Sequence, residues 1–308
     1  MSETLRVALA LGSGGARGYA HVGAIEALRE RGCEVAMISG TSMGALVGGV
    51  EAAGQLEAFT AWATALRQRD VLRLVDPKWS TPGAMTADRL LTALEGLIGG
   101  RVIEDLPIPF TAVATDLAAG REVWFQRGPL DAAIRASIAI PGAMTPVVIN
   151  GRLLVDGGLL NPVPMEPLAA VSVDLTVAVS LQGARRTRDL FATTTSESSQ
   201  TLRFEEWREP MRRTIRALAG RIPHDTAGHA TERDFQRLPK ELRLSDVTSL
   251  SLDAMQQLIA RYRLAGQPPD VLVSVPVSAA RTLDFHRASE LIELGYTLTV
   301  AALDAAGV

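Results

Sequence analysis

The sequence holds a single cysteine, Cys33, and only two lysines, Lys78 and Lys240, among 308 residues. A lone thiol makes no intrachain disulfide and no multi-cysteine zinc site, so nothing in the chain calls for an oxidising compartment. Aromatic residues are scarce at 5%, which leaves small and branched aliphatic side chains to fill the core and suits helices packed closely on a sheet. No uninterrupted apolar run approaches the roughly 20 residues of a membrane-spanning helix, and the run at residues 7–11 is too short for a signal-peptide core. The expectation is a cytoplasmic address, with any membrane contact peripheral. A net charge of −3 gives no overall attraction to nucleic acid, and no such partner is expected.

What is present is the composition of a folded globular chain, 47% hydrophobic and 21% charged. Arginine carries nearly all the positive charge, a compositional mark of a GC-rich bacterial gene. The first fifty residues read as a strand at 7–11, a glycine-rich turn, an amphipathic helix at 20–31 and a strand at 35–39. A second glycine turn at 40–44 leads into a small, apolar helix at 45–53 that ends at Gly54. Further strands are expected at 110–115, 122–125, 147–149, 153–155, 175–181 and 271–275. Strands alternating with helices predict an α/β fold of three α/β/α layers with a mostly parallel central sheet.

The expected organisation is one domain over residues 1–308, interrupted by a charged helical insert or lid at about 185–245. That segment carries 13 Lys/Arg against 9 Asp/Glu, a net +4 in a chain that is net −3. Within it Phe204, Trp207, Met211, Ile215 and Leu218 recur at helical spacing, with Pro210 starting or kinking the helix and Gly220 as its C-cap. Such a stripe flanked by arginine reads either as a helix packed on the body or as a lid or membrane-surface contact.

The strongest chemical signal is Gly40-Thr41-Ser42-Met43-Gly44 between a strand and a helix. A sharp strand-to-helix corner strains its central residue, needs small neighbours such as Gly40 and Gly44, and lifts the serine hydroxyl to a helix N-terminus. Ser42 is the leading nucleophile; the alternative is a tight turn with an incidental serine. A second glycine loop, Gly12-Ser13-Gly14-Gly15-Ala16-Arg17-Gly18, follows the first strand and opens the first helix. Its amides suit an oxyanion, and the same pattern also fits a dinucleotide-binding turn. A dinucleotide site wants an acidic residue at the end of the second strand, whereas Glu34 precedes that strand and the strand runs into Ser42, which favours a serine hydrolase. Arg17 either holds the loop, attracts an anionic head group, or sits on a solvated surface.

A serine needs a base. Asp156, in Val155-Asp156-Gly157-Gly158, stands at a strand end with Gly157 and Gly158 clearing space behind it, and burial would raise its pKa and make it a better proton acceptor. Read alone, Asp-Gly-Gly is also a plain turn. Of the histidines His21, His224, His229 and His286, only His286 would complete the chain order Ser42, Asp156, His286 of a hydrolase triad.

These motifs, taken in order, resemble the patatin-like phospholipase family, in particular its compact bacterial members. The likeness extends to Val113-Ala114-Thr115-Asp116-Leu117, Ala133-Ile134-Arg135-Ala136-Ser137-Ile138, Pro141-Gly142 and Asn161-Pro162-Val163-Pro164, and to residues 283–296, but not to residues 185–245. The resemblance implies a serine acyl hydrolase acting on phospholipid, lysophospholipid or other lipid esters through a two-residue dyad. In it Ser42 matches the nucleophile, Asp156 the activating aspartate, and the loop carrying Gly12, Gly14, Gly15, Ala16 and Arg17 the oxyanion hole. Ser13 stands where many members carry glycine, and Asp116 matches a position taken as structural. No metal or organic cofactor is implied. Two alternatives remain at this level: a Ser-Asp-His esterase on small soluble esters, and a non-catalytic module that binds lipid or a partner.

Overall fold

The alternation of large and small apolar residues in Arg6–Leu11 decides which way the central strand faces. Val7, Leu9 and Leu11 enter the main core, while Ala8 and Ala10 join a second cluster with Met37, Val163, Met165, Leu168, Ala178 and Ala260. Both faces are therefore buried, as an unbroken apolar strand requires. The structure, a computed structural model, describes residues 4–74, 76–77, 85–86, 92, 95–184 and 244–308. Residues 1–186 and 248–308 form one unit, and residues 187–247 a second of which only 244–247 are described. The expected insert at 185–245, with its apolar stripe, His224 and His229, thus lies almost wholly outside the described residues.

The strands are β1 (Arg6–Leu11), β2 (Glu34–Thr41), β3 (Phe110–Asp116), β4 (Arg121–Phe125), β5 (Val147–Ile149), β6 (Arg152–Asp156), β7 (Leu175–Gly183) and β8 (Val271–Pro276). The helices are α1 (Ala20–Glu30), α2 (Met43–Ala52), α3 (Leu56–Ala65), α4 (Gln68–Leu74), α5 (Leu130–Ser137), α6 (Leu244–Gly266) and α7 (Ala288–Ala306). The sheet runs β8-β7-β1-β2-β3-β6-β5, with β4 also paired to β3. Its first five strands pair in parallel and the pairings of β3 with β4, β3 with β6 and β5 with β6 are antiparallel, so the sheet is mixed but mostly parallel. Asp76–Pro77 and Met85–Thr86 make a separate two-stranded pair.

One register brings distant sequence together. β3 pairs with β2 up to Val113 opposite Thr41, and its next residue, Ala114, lies opposite Asp156 of β6. Since β4 occupies the other edge of β3 across both stretches, β2 and β6 meet end to end on a single edge. Ser42 and Asp156 are thereby neighbours before any side chain is considered.

The helix layer over the main core is set by close backbone approach. A Cβ on Gly23 of α1 would lie 2.0 Å from the Ile292 carbonyl oxygen, and one on Gly295 of α7 would lie 2.0 Å from that of Ala20. Each helix thus carries a glycine where it crosses the other, and the two axes come nearer than any side chain permits.

Candidate active site

The serine corner is tighter than the sequence suggests. The glycine turn expected at 40–44 is a single residue: β2 continues through Thr41 and α2 begins at Met43. Ser42 absorbs the whole reversal with φ 59° and ψ −123°, a conformation that costs a non-glycine residue about 1–3 kcal/mol and persists only when its surroundings enforce it. The enforcement is visible. The Ser42 amide donates to Ser137 Oγ at 2.8 Å, and Ser137 Oγ donates to the Val113 carbonyl at 2.6 Å. The Ser42 carbonyl accepts from the Ala45 and Leu46 amides. A Cβ at Gly44 would come 2.1 Å from the Leu11 carbonyl oxygen, and one at Gly40 2.3 Å from that of Gly44, so neither position admits a side chain.

Ser42 Oγ donates directly to Asp156 Oδ2, and both residues are buried. Asp156 Oδ1 accepts from the Gly158 amide at 2.7 Å, and the Asp156 amide donates to the Ala139 carbonyl at 2.9 Å, which fixes the carboxylate at both ends. Burial raises the Asp156 pKa to about 6, against the lowering effect of the Ser42 and Gly158 hydrogen bonds. The group is ionised at neutral pH yet more basic than an ordinary carboxylate. A hydroxyl held in this way can lose its proton to Asp156 as its oxygen attacks a carbonyl carbon.

The glycine loop lies against the same pair: Ser13, Gly14, Gly15, Arg17, Ser42 and Asp156 line one cavity. The amides at two of the expected oxyanion positions are already engaged within the chain. The Gly12 amide donates to the Val179 carbonyl at 2.9 Å as an extension of the sheet, and the Ala16 amide donates to the Thr282 carbonyl at 2.9 Å, so neither is available to an anion. Among the described residues the Gly14 and Gly15 amides have no acceptor, and neither does that of Met43 at the N-terminus of α2. Met43 was not singled out from the sequence, although the residue after a serine at such a corner supplies its amide by position rather than by side chain.

Arg17 is buried rather than solvated. Its buried guanidinium donates to the Gly14 carbonyl at 3.0 Å and the Val277 carbonyl at 3.2 Å, and it pairs with Asp253 of α6 at 3.4 Å. It holds the loop. His21 pins the other end, with Nε2 2.8 Å from the Gly12 carbonyl oxygen; burial lowers its pKa to about 4, so the ring is neutral and Nε2 carries the donated proton. His286 is exposed, and among the described residues no imidazole stands between Ser42 and Asp156, whose two oxygens are taken by Ser42 and Gly158. Asp116 accepts from the Ala119 amide at 3.0 Å and closes the β3–β4 turn.

The segment after Asp156 doubles back beneath the site. The carbonyls of Asn161, Pro162 and Pro164 accept from Thr41 Oγ1, the Ser13 amide and Ser39 Oγ respectively. One short stretch therefore braces both the serine strand and the glycine loop. Asn161 Nδ2 donates to Glu122 and Glu166 at 2.9 Å each, and Arg263 of α6 pairs with both carboxylates.

A second cavity also reaches Ser42. Its walls are Tyr19, Met43, Leu46, Phe59, Trp62, Ile138, Ile140, Met144 and Phe285, almost wholly apolar, and Tyr19 packs edge-on to Phe285 with ring centroids 6.1 Å apart. The two cavities share Gly15, Ser42 and Ile140. Among the described residues no cluster of three or more His, Cys, Asp or Glu side chains could hold a metal ion, and no helix is long and apolar enough to cross a membrane.

An α/β/α protein with a glycine-framed serine at a strand-to-helix corner defines the class. The chain belongs to the patatin-like phospholipase family, whose pattern it matches over residues 9–169. An uncharacterized NTE family protein of Mycobacterium tuberculosis is 48% identical over 344 aligned residues, which take in 99% of this chain and 93% of the relative. Patatin-like phospholipase domain-containing protein 7 of the mouse is 27% identical over 94% of this chain and 20% of its own length. The crystal structure of VipD from Legionella pneumophila aligns with 98% of this chain and 67% of that one, at a TM-score of 0.48 and 13% identity. Membership implies lipid acyl hydrolase activity.

Proposed function

We propose that the chain hydrolyses lipid acyl esters through an acyl-enzyme on Ser42, with Asp156 as the only proton carrier. The observation that carries this reading is the direct hydrogen bond from Ser42 Oγ to a buried carboxylate at the meeting point of an apolar and a polar cavity. The acyl chain enters the aromatic cavity and its carbonyl lies over Ser42. Ser42 Oγ attacks the carbonyl carbon while Asp156 takes the hydroxyl proton. The resulting oxyanion is held by the amides of Gly14, Gly15 and Met43, assisted by the positive end of α2. Collapse breaks the ester C–O bond, and the leaving alcohol takes the proton from Asp156. Water then enters, gives a proton to Asp156 as it attacks the acyl carbon, and releases the free acid as Ser42 recovers that proton.

Ser42→Ala and Asp156→Ala are each expected to lower kcat/KM on a chromogenic acyl ester by about 10⁴-fold or more, with circular dichroism unchanged. Full activity in either variant defeats the assignment. A non-catalytic lipid-binding module would show no turnover even in the unaltered chain. His286→Ala separates a dyad from a triad: turnover within twofold of the parent is expected, and a collapse in a folded variant points to the triad.

A further inference from the structure

We infer that Asp253 of α6 is a positioning residue: through Arg17 it keeps the Gly15 amide aimed at the oxyanion, an inference that rests on the reading of Ser42 as nucleophile. The Gly14–Gly15 peptide is the one link of the loop with glycine on both sides. Glycine populates either sign of φ at little cost, and Gly15 already stands at φ 58°, so this peptide plane can turn over where its neighbours cannot. A carbonyl and the amide that follows it point opposite ways across a trans peptide. Turned over, the plane would present the Gly14 carbonyl, the wrong end of the dipole, where the proposed mechanism needs the Gly15 N–H.

Side chains cannot stiffen this link. A Cβ on Gly14 would lie 2.6 Å from Leu181 Cβ, and one on Gly15 would lie 2.5 Å from the Thr282 carbonyl oxygen. The restraint comes instead from Arg17, whose Nε donates to the Gly14 carbonyl at 3.0 Å and so holds the Gly15 N–H on the opposite side.

Arg17 must in turn be held. Its side chain keeps only 3% exposure, and a guanidinium out of water needs a counter-charge as well as acceptors. Nη1 donates to the Val277 carbonyl at 3.2 Å, which satisfies a proton but not the charge. Nη2 reaches Asp253 Oδ1 at 3.4 Å, on a helix 236 residues further along the chain. Asp253 lines the same cavity as Ser42, yet it pairs with Arg17 while the Ser42 hydroxyl donates to Asp156, so it acts on the reaction at one remove.

The test uses the full chain, a p-nitrophenyl acyl ester, and a trifluoromethyl ketone with the same acyl chain, whose adduct with Ser42 carries the oxyanion. Asp253→Leu is expected to lower kcat about 10- to 100-fold, part of the worth of one oxyanion donor, with KM within about threefold. Affinity for the ketone should fall by the same factor as kcat/KM, which a loss of fold or of substrate binding would not produce. Arg17→Met should cost at least as much, and Asp253→Leu added to it should cost nothing further, since the carboxylate acts only through the guanidinium. Should Asp253→Leu unfold, as read by circular dichroism, Asp253→Asn keeps the shape and removes the charge, and a fall in kcat of at least about threefold is expected. Parent-like kcat in a folded variant, a rise in KM alone, unchanged ketone affinity, or losses that multiply in the double variant overturn the inference. Parent turnover in Ser42→Ala would instead defeat the nucleophile reading, whereas an inactive Ser42→Ala beside parent-like Asp253 variants defeats the positioning role alone.

Discussion

One buried carboxylate, that of Asp156, works against the fold and, on the proposed mechanism, for the chemistry. Asp156 has its pKa raised to about 6 by burial, above the ordinary 3.8. A carboxyl raised in the folded state stabilises the fold when protonated, and that contribution is lost as pH rises from about 4 through 6. On the mechanism proposed above, activity is expected to run the other way, because only an ionised Asp156 could accept the Ser42 proton. The kcat/KM profile on a neutral ester is expected to rise with unit slope below about pH 6 and to level off above it. Asp156→Asn removes the buried charge. Chemical denaturation at pH 8 should find this variant inactive and more stable than the parent, by on the order of 3 kcal/mol, with the gain vanishing near pH 4. A variant less stable than the parent at pH 8 contradicts this electrostatic picture.

Much of the residue-level site is legible in the sequence for a physical reason: a serine at a one-residue reversal and a carboxylate beside two backbone strands both demand glycine neighbours, and glycine is visible in the text. Gly40, Gly44, Gly157 and Gly158 all stand where an added Cβ would strike a neighbouring atom at 2.1–2.5 Å. What is not legible is where backbone amides spend their hydrogen bonds. Gly12 and Ala16 look equivalent to Gly14 and Gly15 until Val179 and Thr282 arrive from far along the chain to accept from them. The anchoring of Ser13 is hidden for the same reason, since its amide donates to the Pro162 carbonyl and its carbonyl accepts from Gln182, both remote in sequence.

Elements place these residues, and each strand expected from the sequence is found, with no end moved by more than two positions. The strands that the periodicity could not orient are β4, β5 and β6, whose antiparallel pairing follows from links too short for a crossover: four residues, 117–120, join β3 to β4, and two join β5 to β6. The α1–α7 contact offers a prediction at this scale. Glycine to alanine inside an exposed helix gains about 1 kcal/mol, but at Gly23 the new methyl would meet the Ile292 carbonyl at 2.0 Å, and the clash outweighs the propensity. Gly23→Ala is expected to lower the urea midpoint by an equivalent of about 2 kcal/mol. An increase would show that the two helices separate freely. Leu46 of α2 faces the apolar cavity, and Leu46→Phe should move the preferred chain length in a p-nitrophenyl ester series toward shorter acids while sparing the butyrate; an unchanged profile argues that the chain lies elsewhere.

Across the whole molecule, the site is assembled by segments that are remote in sequence and tied by a few polar joints. The stretch from Asn161 to Pro164 supports the serine strand and the glycine loop together, and Arg263 anchors it to α6 through Glu122 and Glu166. Arg263→Met leaves two partly buried carboxylates beside Asn161 without their cation. Stability is expected to fall by about 1–3 kcal/mol, smaller than for a fully buried pair because these side chains retain 17–28% exposure. A loss below about 0.5 kcal/mol in urea titration would show that the joint is merely a surface pairing.

The most direct measurement is covalent labelling with a serine-directed fluorophosphonate, read by intact-mass and peptide mass spectrometry. A single adduct on Ser42 is expected, formed with loss of esterase activity and at least about 100-fold more slowly in Asp156→Ala. An unlabelled Ser42 in a chain that still hydrolyses esters, or labelling at the parent rate without Asp156, contradicts the mechanism.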